Sequence, residues 1–277
     1  TNQQLGMYLG LLFAYSSNNI VRENTISSNG YDGVYMFGAH NSTFTLNVIQ
    51  SNGRNGITLP NGNDDEHAFF ENSISSNRNN GINIFNTYVN NYTIQKNIIN
   101  DNVENGIKIF ARCCTDRGGI RFIVDNNITS NDGSGILISS SITHNISGNT
   151  ISDNIKKGVE LVVRSNNNSI EENEVILNGE HGISATDSFY NLISNNRATE
   201  NGVSPQPVSG ISLTNGDYSN IINNTVEKNA WVGINLEEGS EFNNVLGNNA
   251  TENGDDGIGT WSSVSGGCPA FSINYNN

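Results

Sequence analysis

Asn72-Ser73-Ile74-Ser75-Ser76-Asn77-Arg78-Asn79-Asn80-Gly81-Ile82-Asn83-Ile84 reads as N-x-I-x-x-N-x-x-x-G-I-x-I, and nearly the whole chain repeats that frame. Its glycine falls at Gly10, Gly33, Gly56, Gly81, Gly106, Gly135, Gly158, Gly182, Gly210, Gly233 and Gly257, mostly 23–25 residues apart. The first asparagine recurs ten times, from Asn24 to Asn248, and a second follows five residues later each time, from Asn29 to Asn253. Apolar residues hold four positions of the frame. In one copy they are Ile94 and Ile99 around the first Asn, then Ile107 and Ile109 after the glycine. Alternation at period 2 over such short runs predicts strands of three or four residues.

A strand that short cannot bury its face alone. Coils stacked about 4.8 Å apart let each strand pair with its counterparts above and below, over a column of isoleucines. Asparagine suits the corners, because it tolerates left-handed backbone and its amide stacks into a hydrogen-bonded ladder. The glycine marks a backbone that needs either φ > 0 or a close approach. The expected fold is all-β, a single-stranded solenoid of about eleven coils. It forms one domain over 1–277, with 1–9 as a lead-in. A leucine-rich repeat shares the period, but leucine is scarce here and Gly, Asn, Ser and Thr fill the half where its helix would lie.

The chain has 27 acidic and 13 basic residues, a net charge of −14, which disfavours nucleic acid as a partner. The apolar run Leu5–Tyr15 is too short to span a membrane and merges with the first coil as core. No charged leader or initiator Met precedes it, which suggests a processed or excised chain. Cys113 and Cys114 are adjacent in the longest inter-coil insertion, and Cys268 lies about 29 Å away by the strand spacing. That distance excludes a bond to Cys268 within one chain. A strained Cys113–Cys114 disulfide and free thiols both stay open.

Candidate binding residues lie where the chain departs from the frame. Insertions cluster at the corner after the glycine strand, in 60–67 and 111–119. The acidic loop Asn63-Asp64-Asp65-Glu66-His67 offers oxygen ligands of the kind calcium takes, or an acid–base pair that includes Asp64, Asp65 and His67, although no EF-hand frame is present; a solvated polar corner is the plainer expectation, with no cofactor. His40, His67, His144 and His181 are read at four different positions of the frame, so surface histidines and no metal site are expected. Glu23, Glu71, Asp125 and Glu172 form an acidic stripe just before the first Asn. Phe37, Phe85 and Phe110 stand four residues after their glycines, with Pro60 at the same position between them. Aligned aromatics of this kind make a stacking surface for sugar rings or another protein, or pack a corner. Asn41, Asn91, Asn127, Asn145, Asn167, Asn223 and Asn249 open N-x-S/T acceptors, about as many as this composition produces by chance.

The frame Asn224-Thr-Val-Glu-Lys-Asn-Ala-Trp-Val-Gly-Ile-Asn-Leu236 and its copies resemble the right-handed parallel β-helix repeats of secreted polysaccharide-active enzymes. They are closer to the Asn-rich repeats of archaeal and bacterial surface proteins and of the periplasmic copper-processing accessory protein of nitrous oxide reductase. The resemblance implies a right-handed parallel β-helix in an extracellular, cell-surface or periplasmic setting. It implies no copper site, given the scattered histidines and two methionines. The Asp-Pro-His of alginate epimerases is absent, as are the Asn-Thr-Asp, Asp-Asp and Gly-His-Gly of polygalacturonases. The expectation is therefore a structural or adhesive solenoid, stacking end to end and presenting a carbohydrate- or protein-binding face. The alternative is a lyase or epimerase on acidic glycans, with Lys108 or Arg112 as its basic residue.

Overall fold

The computed structural model describes residues 10–60, 66–85, 91–111, 119, 121–202 and 207–261. The described residues form 31 short strands and no helix. The strands sort into three parallel sheets, wound right-handed. Sheet I has eleven strands, from Leu11–Ala14 to Ile258–Trp261. Sheet II has ten, from Ile20–Arg22 to Asn244–Leu246, and sheet III has ten, from Thr25–Ser27 to Asn249–Thr251. Each coil visits I, II and III in turn. Pairing follows the frame residue for residue: Ile82 meets Ile107 and Ile84 meets Ile109. The four apolar positions all point inward and make one continuous core from Val21 to Val245.

Two asparagine ladders run the length of that core. In the first, Nδ2 of each amide donates to Oδ1 of its counterpart one coil on, from Asn24 to Asn248, over 2.9–3.2 Å. The second runs from Asn29 to Asn253 in the same way. Asn126 shows the full complement. Its Oδ1 accepts the backbone N–H and Nδ2 of Asn97, at 2.9 and 3.0 Å. Its Nδ2 donates to Asn149 Oδ1 and to the Ile94 carbonyl, both at 2.9 Å. All four valences of a buried side-chain amide are thereby met.

The left-handed backbone expected at asparagine belongs instead to the residue before it. Glu23, Leu46, Glu71, Lys96, Asp125, Gly148, Glu172, Asn195, Asn223 and Gly247 have φ between 53° and 66°. The ten residues before the second ladder, Ser28 to Glu252, have φ of 54–57°. The tight bend turns that residue outward and the asparagine inward. The acidic stripe is thus a set of corner residues, exposed because the bend expels them. Of the two readings of the frame glycine, close approach is the one observed. A Cβ on Gly106 would lie 2.5 Å from Ile128 Cγ2 and 2.7 Å from the Gly135 carbonyl oxygen, at a φ that needs no glycine.

A further inward position, five before the first asparagine, is polar and was not anticipated as core. Register places His67, Tyr92, Arg121 and His144 in this one column. That corrects two expectations: the histidines do not stand at four different positions, and His67 and His144 are not on the surface. His67 is 2 % exposed; its Nδ1 accepts the Ser42 N–H at 3.3 Å and its Nε2 lies 3.0 Å from the Ala39 carbonyl. Tyr92 Oη lies 3.0 Å from His144 Nδ1, and Ser141 Oγ 2.8 Å from His144 Nε2. The first coil is also less enclosed than expected. Leu11 and Phe13 pack on the core, but Tyr15 is 80 % exposed.

Asn126→Asp keeps the shape of the ladder amide and removes both Nδ2 donors. It is expected to destabilise the fold by roughly 2–4 kcal/mol, measured by urea unfolding, because the Asn149 Oδ1 and Ile94 carbonyl lose partners beside a new acceptor. Gly106→Ala is expected to destabilise by at least about 3 kcal/mol, since its Cβ meets backbone that cannot yield.

Candidate functional site

With the core absorbing every other residue of sheet I, the remaining strand positions form columns on its outer face. One column passes through Asn83, Lys108, Leu137 and Glu160 in register. The next, at the sheet edge, carries Phe85 and Phe110. Their rings stack with centroids 5.1 Å apart and planes 6° from parallel. Asn83, Phe85, Lys108 and Phe110 are all partly exposed. An amide, an ammonium and two apolar rings therefore share one flat surface.

A polar column flanks this face just before the glycines. Asn55 Nδ2 donates to Asp32 Oδ1, Asn80 to Asn55 and Asn105 to Asn80, over 2.8–3.0 Å. Ser134 N–H continues the line to Asn105 Oδ1 at 2.9 Å. Beyond Ser134 the column turns ionic. Lys157 Nζ lies 2.8 Å from Glu160 Oε1, each side chain 18 % exposed, and Ser134 Oγ donates to Glu160 Oε2 at 2.8 Å. His181 follows, with Nδ1 accepting the Ser209 N–H at 3.0 Å. That bond places the proton of the neutral ring on Nε2. Burial, reinforced by the Lys157 charge, lowers the His181 pKa to about 4. At neutral pH His181 is thus an uncharged N–H donor whose one lone pair is already engaged. In this column the Lys157 charge and the His181 lone pair are both already engaged, so His181 is not poised as a base.

The residues singled out in the sequence are dispersed. Phe85 and Phe110 meet as expected, but Phe37 lies across Pro60 from them and packs edge-on against Tyr15, with centroids 5.4 Å apart at 86°. His67 is core and cannot touch an external ligand. Asp64, Asp65, Cys113 and Cys114 lie outside the described residues, as do Arg112 and Cys268. Asn41, Asn127, Asn167, Asn223 and Asn249 are exposed, whereas Asn91 and Asn145 are half-buried. Among the described residues no three His, Cys, Asp or Glu side chains gather as a metal site, and no helix is long and apolar enough to cross a membrane.

One aromatic column escaped the sequence reading. Tyr190, Tyr218 and Phe242 stack in succession, with centroids 5.1 and 5.0 Å apart and interplanar angles of 12° and 8°. Their signal was present: each stands six residues before a first-ladder asparagine. They were hidden because the other coils put Asn, Glu, Thr or Ile there.

The chain matches the family described as "Right handed beta helix region" over residues 4–116 and 114–270. No curated protein matches it in sequence. Several solved structures share its shape. The A-module of the Azotobacter vinelandii mannuronan C-5 epimerase AlgE6 aligns with a TM-score of 0.74 at 16 % identity, covering 92 % of this chain and 72 % of that one. The periplasmic alginate epimerase AlgG aligns with a TM-score of 0.60 at 16 % identity, over 81 % of this chain, which spans about half of AlgG (54 %). PfbA, a surface adhesin of Streptococcus pneumoniae, aligns with a TM-score of 0.63 at 13 % identity, covering 94 % and 75 %. At these identities the likeness establishes the fold.

His181 supplies a pH test of the flanking column. Its folded-state pKa is depressed, so the unfolded chain binds the proton more readily. Stability that is full above the ordinary pKa near 6.5 should fall by up to about 3 kcal/mol as pH drops toward about 4. Urea unfolding of His181→Gln should lack this component, and the wild-type-minus-variant difference isolates it from the carboxylates.

Proposed function

The chain belongs to the right-handed β-helix family, and we propose that it works outside the cytoplasm as an adhesive or structural solenoid that binds glycan on the outer face of sheet I. The observation that carries this reading is the stacked Phe85–Phe110 pair beside Asn83 and Lys108 on a flat, in-register surface. Apolar rings take the C–H faces of sugars, while amides and ammonium groups take hydroxyls. The net charge of −14 works against a polyanionic chain and favours a neutral glycan. The His181 geometry supports binding over base catalysis, because its one lone pair is already engaged by the Ser209 N–H. A surface adhesin and a periplasmic enzyme among the structural neighbours support the setting.

Head-to-tail stacking into a filament is the second part of the proposal. Its support is the polarity of the ladders. Every interior amide accepts from the coil before it and donates to the coil after it, so coils are complementary in that order. Such a contact is heterologous and need not close.

Titration calorimetry against neutral and uronic-acid oligosaccharides tests the first part. Binding of a neutral oligosaccharide is expected, weakened about tenfold by Phe110→Ala with the melting temperature held. Equal binding by the variant overturns the site. Turnover of alginate or pectate would transfer the face to the alternative reading, an enzyme on acidic glycans. Sedimentation across a concentration series tests stacking: rods of graded length are expected, and a single monomeric species overturns it.

A further inference from the structure

At eight of the positions six residues before a first-ladder asparagine the backbone lies in the left-handed region: φ is 60° at Asn18, 45° at Asn41, 59° at Glu66 and Thr143, and 55° at Asn167, and the other three are the ring positions. Asparagine adopts that backbone at little cost, whereas a bulky side chain there is strained. In the last three such corners the chain nevertheless places rings, with φ of 58° at Tyr190, 54° at Tyr218 and 56° at Phe242. The rings are not enclosed: they are 56 %, 46 % and 58 % exposed. Strain at a solvent-facing site with little burial to offset it points toward function.

The neighbourhood says what would cover them. Further along the same coils, Leu192 and the paired Ile222 and Leu246 stand partly exposed on the outer face of sheet II and extend the apolar surface beside the ridge. The three stretches 187–195, 215–223 and 238–247 carry Asp187, Asp217, Glu238 and Glu241 and no Lys, Arg or His. Two of these carboxylates are tied to the corner: Asp187 Oδ1 accepts Asn215 Nδ2 at 2.6 Å, and Asp217 Oδ1 accepts the Glu241 N–H at 2.7 Å.

We propose that the Tyr190–Tyr218–Phe242 ridge and its acidic margin form a docking surface for a polypeptide segment that alternates apolar residues with Lys or Arg. A neutral sugar is a poorer fit here, because the ridge is bordered by four carboxylates with no Lys, Arg or His in the same stretches, and that charge favours a cationic polypeptide. A second copy in the same orientation would bring four carboxylates against four. The surface is separate from the sheet I face, so its failure and that of the glycan reading are independent.

The probe is a fluorescent octapeptide alternating Leu and Lys, followed by anisotropy at low and moderate salt, with a Leu–Glu octapeptide and chito-oligosaccharide as comparisons. The chain should bind the Leu–Lys peptide, more weakly as salt rises, and neither comparison. Tyr190→Asn, Tyr218→Asn and Phe242→Asn together restore the residue used at Asn18, Asn41 and Asn167. This variant should lose at least about tenfold in affinity with its melting temperature unchanged or raised. Tyr218→Asn alone should do the same in part. Glu238→Gln with Glu241→Gln should weaken binding and flatten its salt dependence. Undiminished binding by the ring variants, a lower melting temperature that returns the rings to a structural role, or equal binding of the chito-oligosaccharide would each overturn the proposal.

Discussion

The two asparagine ladders are the constraint on which the rest depends. A buried amide has two donors and two acceptor sites, and each unmet one costs of the order of 1–3 kcal/mol. Here the amide above, the amide below and two backbone groups satisfy them all, as at Asn126. This works only if every coil places its asparagine on the same axis. A slip of one residue would break both ladders and turn the isoleucine columns to solvent. Register is therefore specified by hydrogen bonding and burial together.

The ladder also explains where the strain lies. Directing the asparagine inward bends the backbone at the residue before it into the left-handed region at twenty sites. For most side chains that conformation costs about 1 kcal/mol or more. The chain tolerates Glu, Ser, Leu or Lys there because the neighbouring amide network over-determines the bend. The frame glycine answers to a related pressure. Stacked carbonyls and the isoleucine methyls beside them leave no room for a Cβ.

A scaffold this regular converts any repeated surface residue into a column. Phe85 on Phe110, Tyr190 on Tyr218 on Phe242, and Lys157 before His181 are all neighbours through coil stacking and not through sequence proximity. Function on such a rod is a matter of which columns break the pattern. The Tyr190 column breaks it most sharply, exchanging a residue the corner accepts for one it strains.

How much could be read without coordinates follows from the same periodicity. The spacing of Asn, Ile and Gly determined the stacked solenoid, its register and its four apolar columns, because each repeat meets only copies of itself. Within the candidate site, the Phe85–Phe110 contact was legible for the same reason. What only the tertiary structure decided was direction and environment. His67 and His144 face inward because the sheet II strand extends back to include them, so that alternation sets each on the same side as Phe69 or Ile146 two residues on. His181 is a donor because a backbone N–H from the next coil occupies its Nδ1. Side-chain identity repeats along a chain and can be counted; which way a corner turns it, and what then encloses it, is settled only when the coils stack.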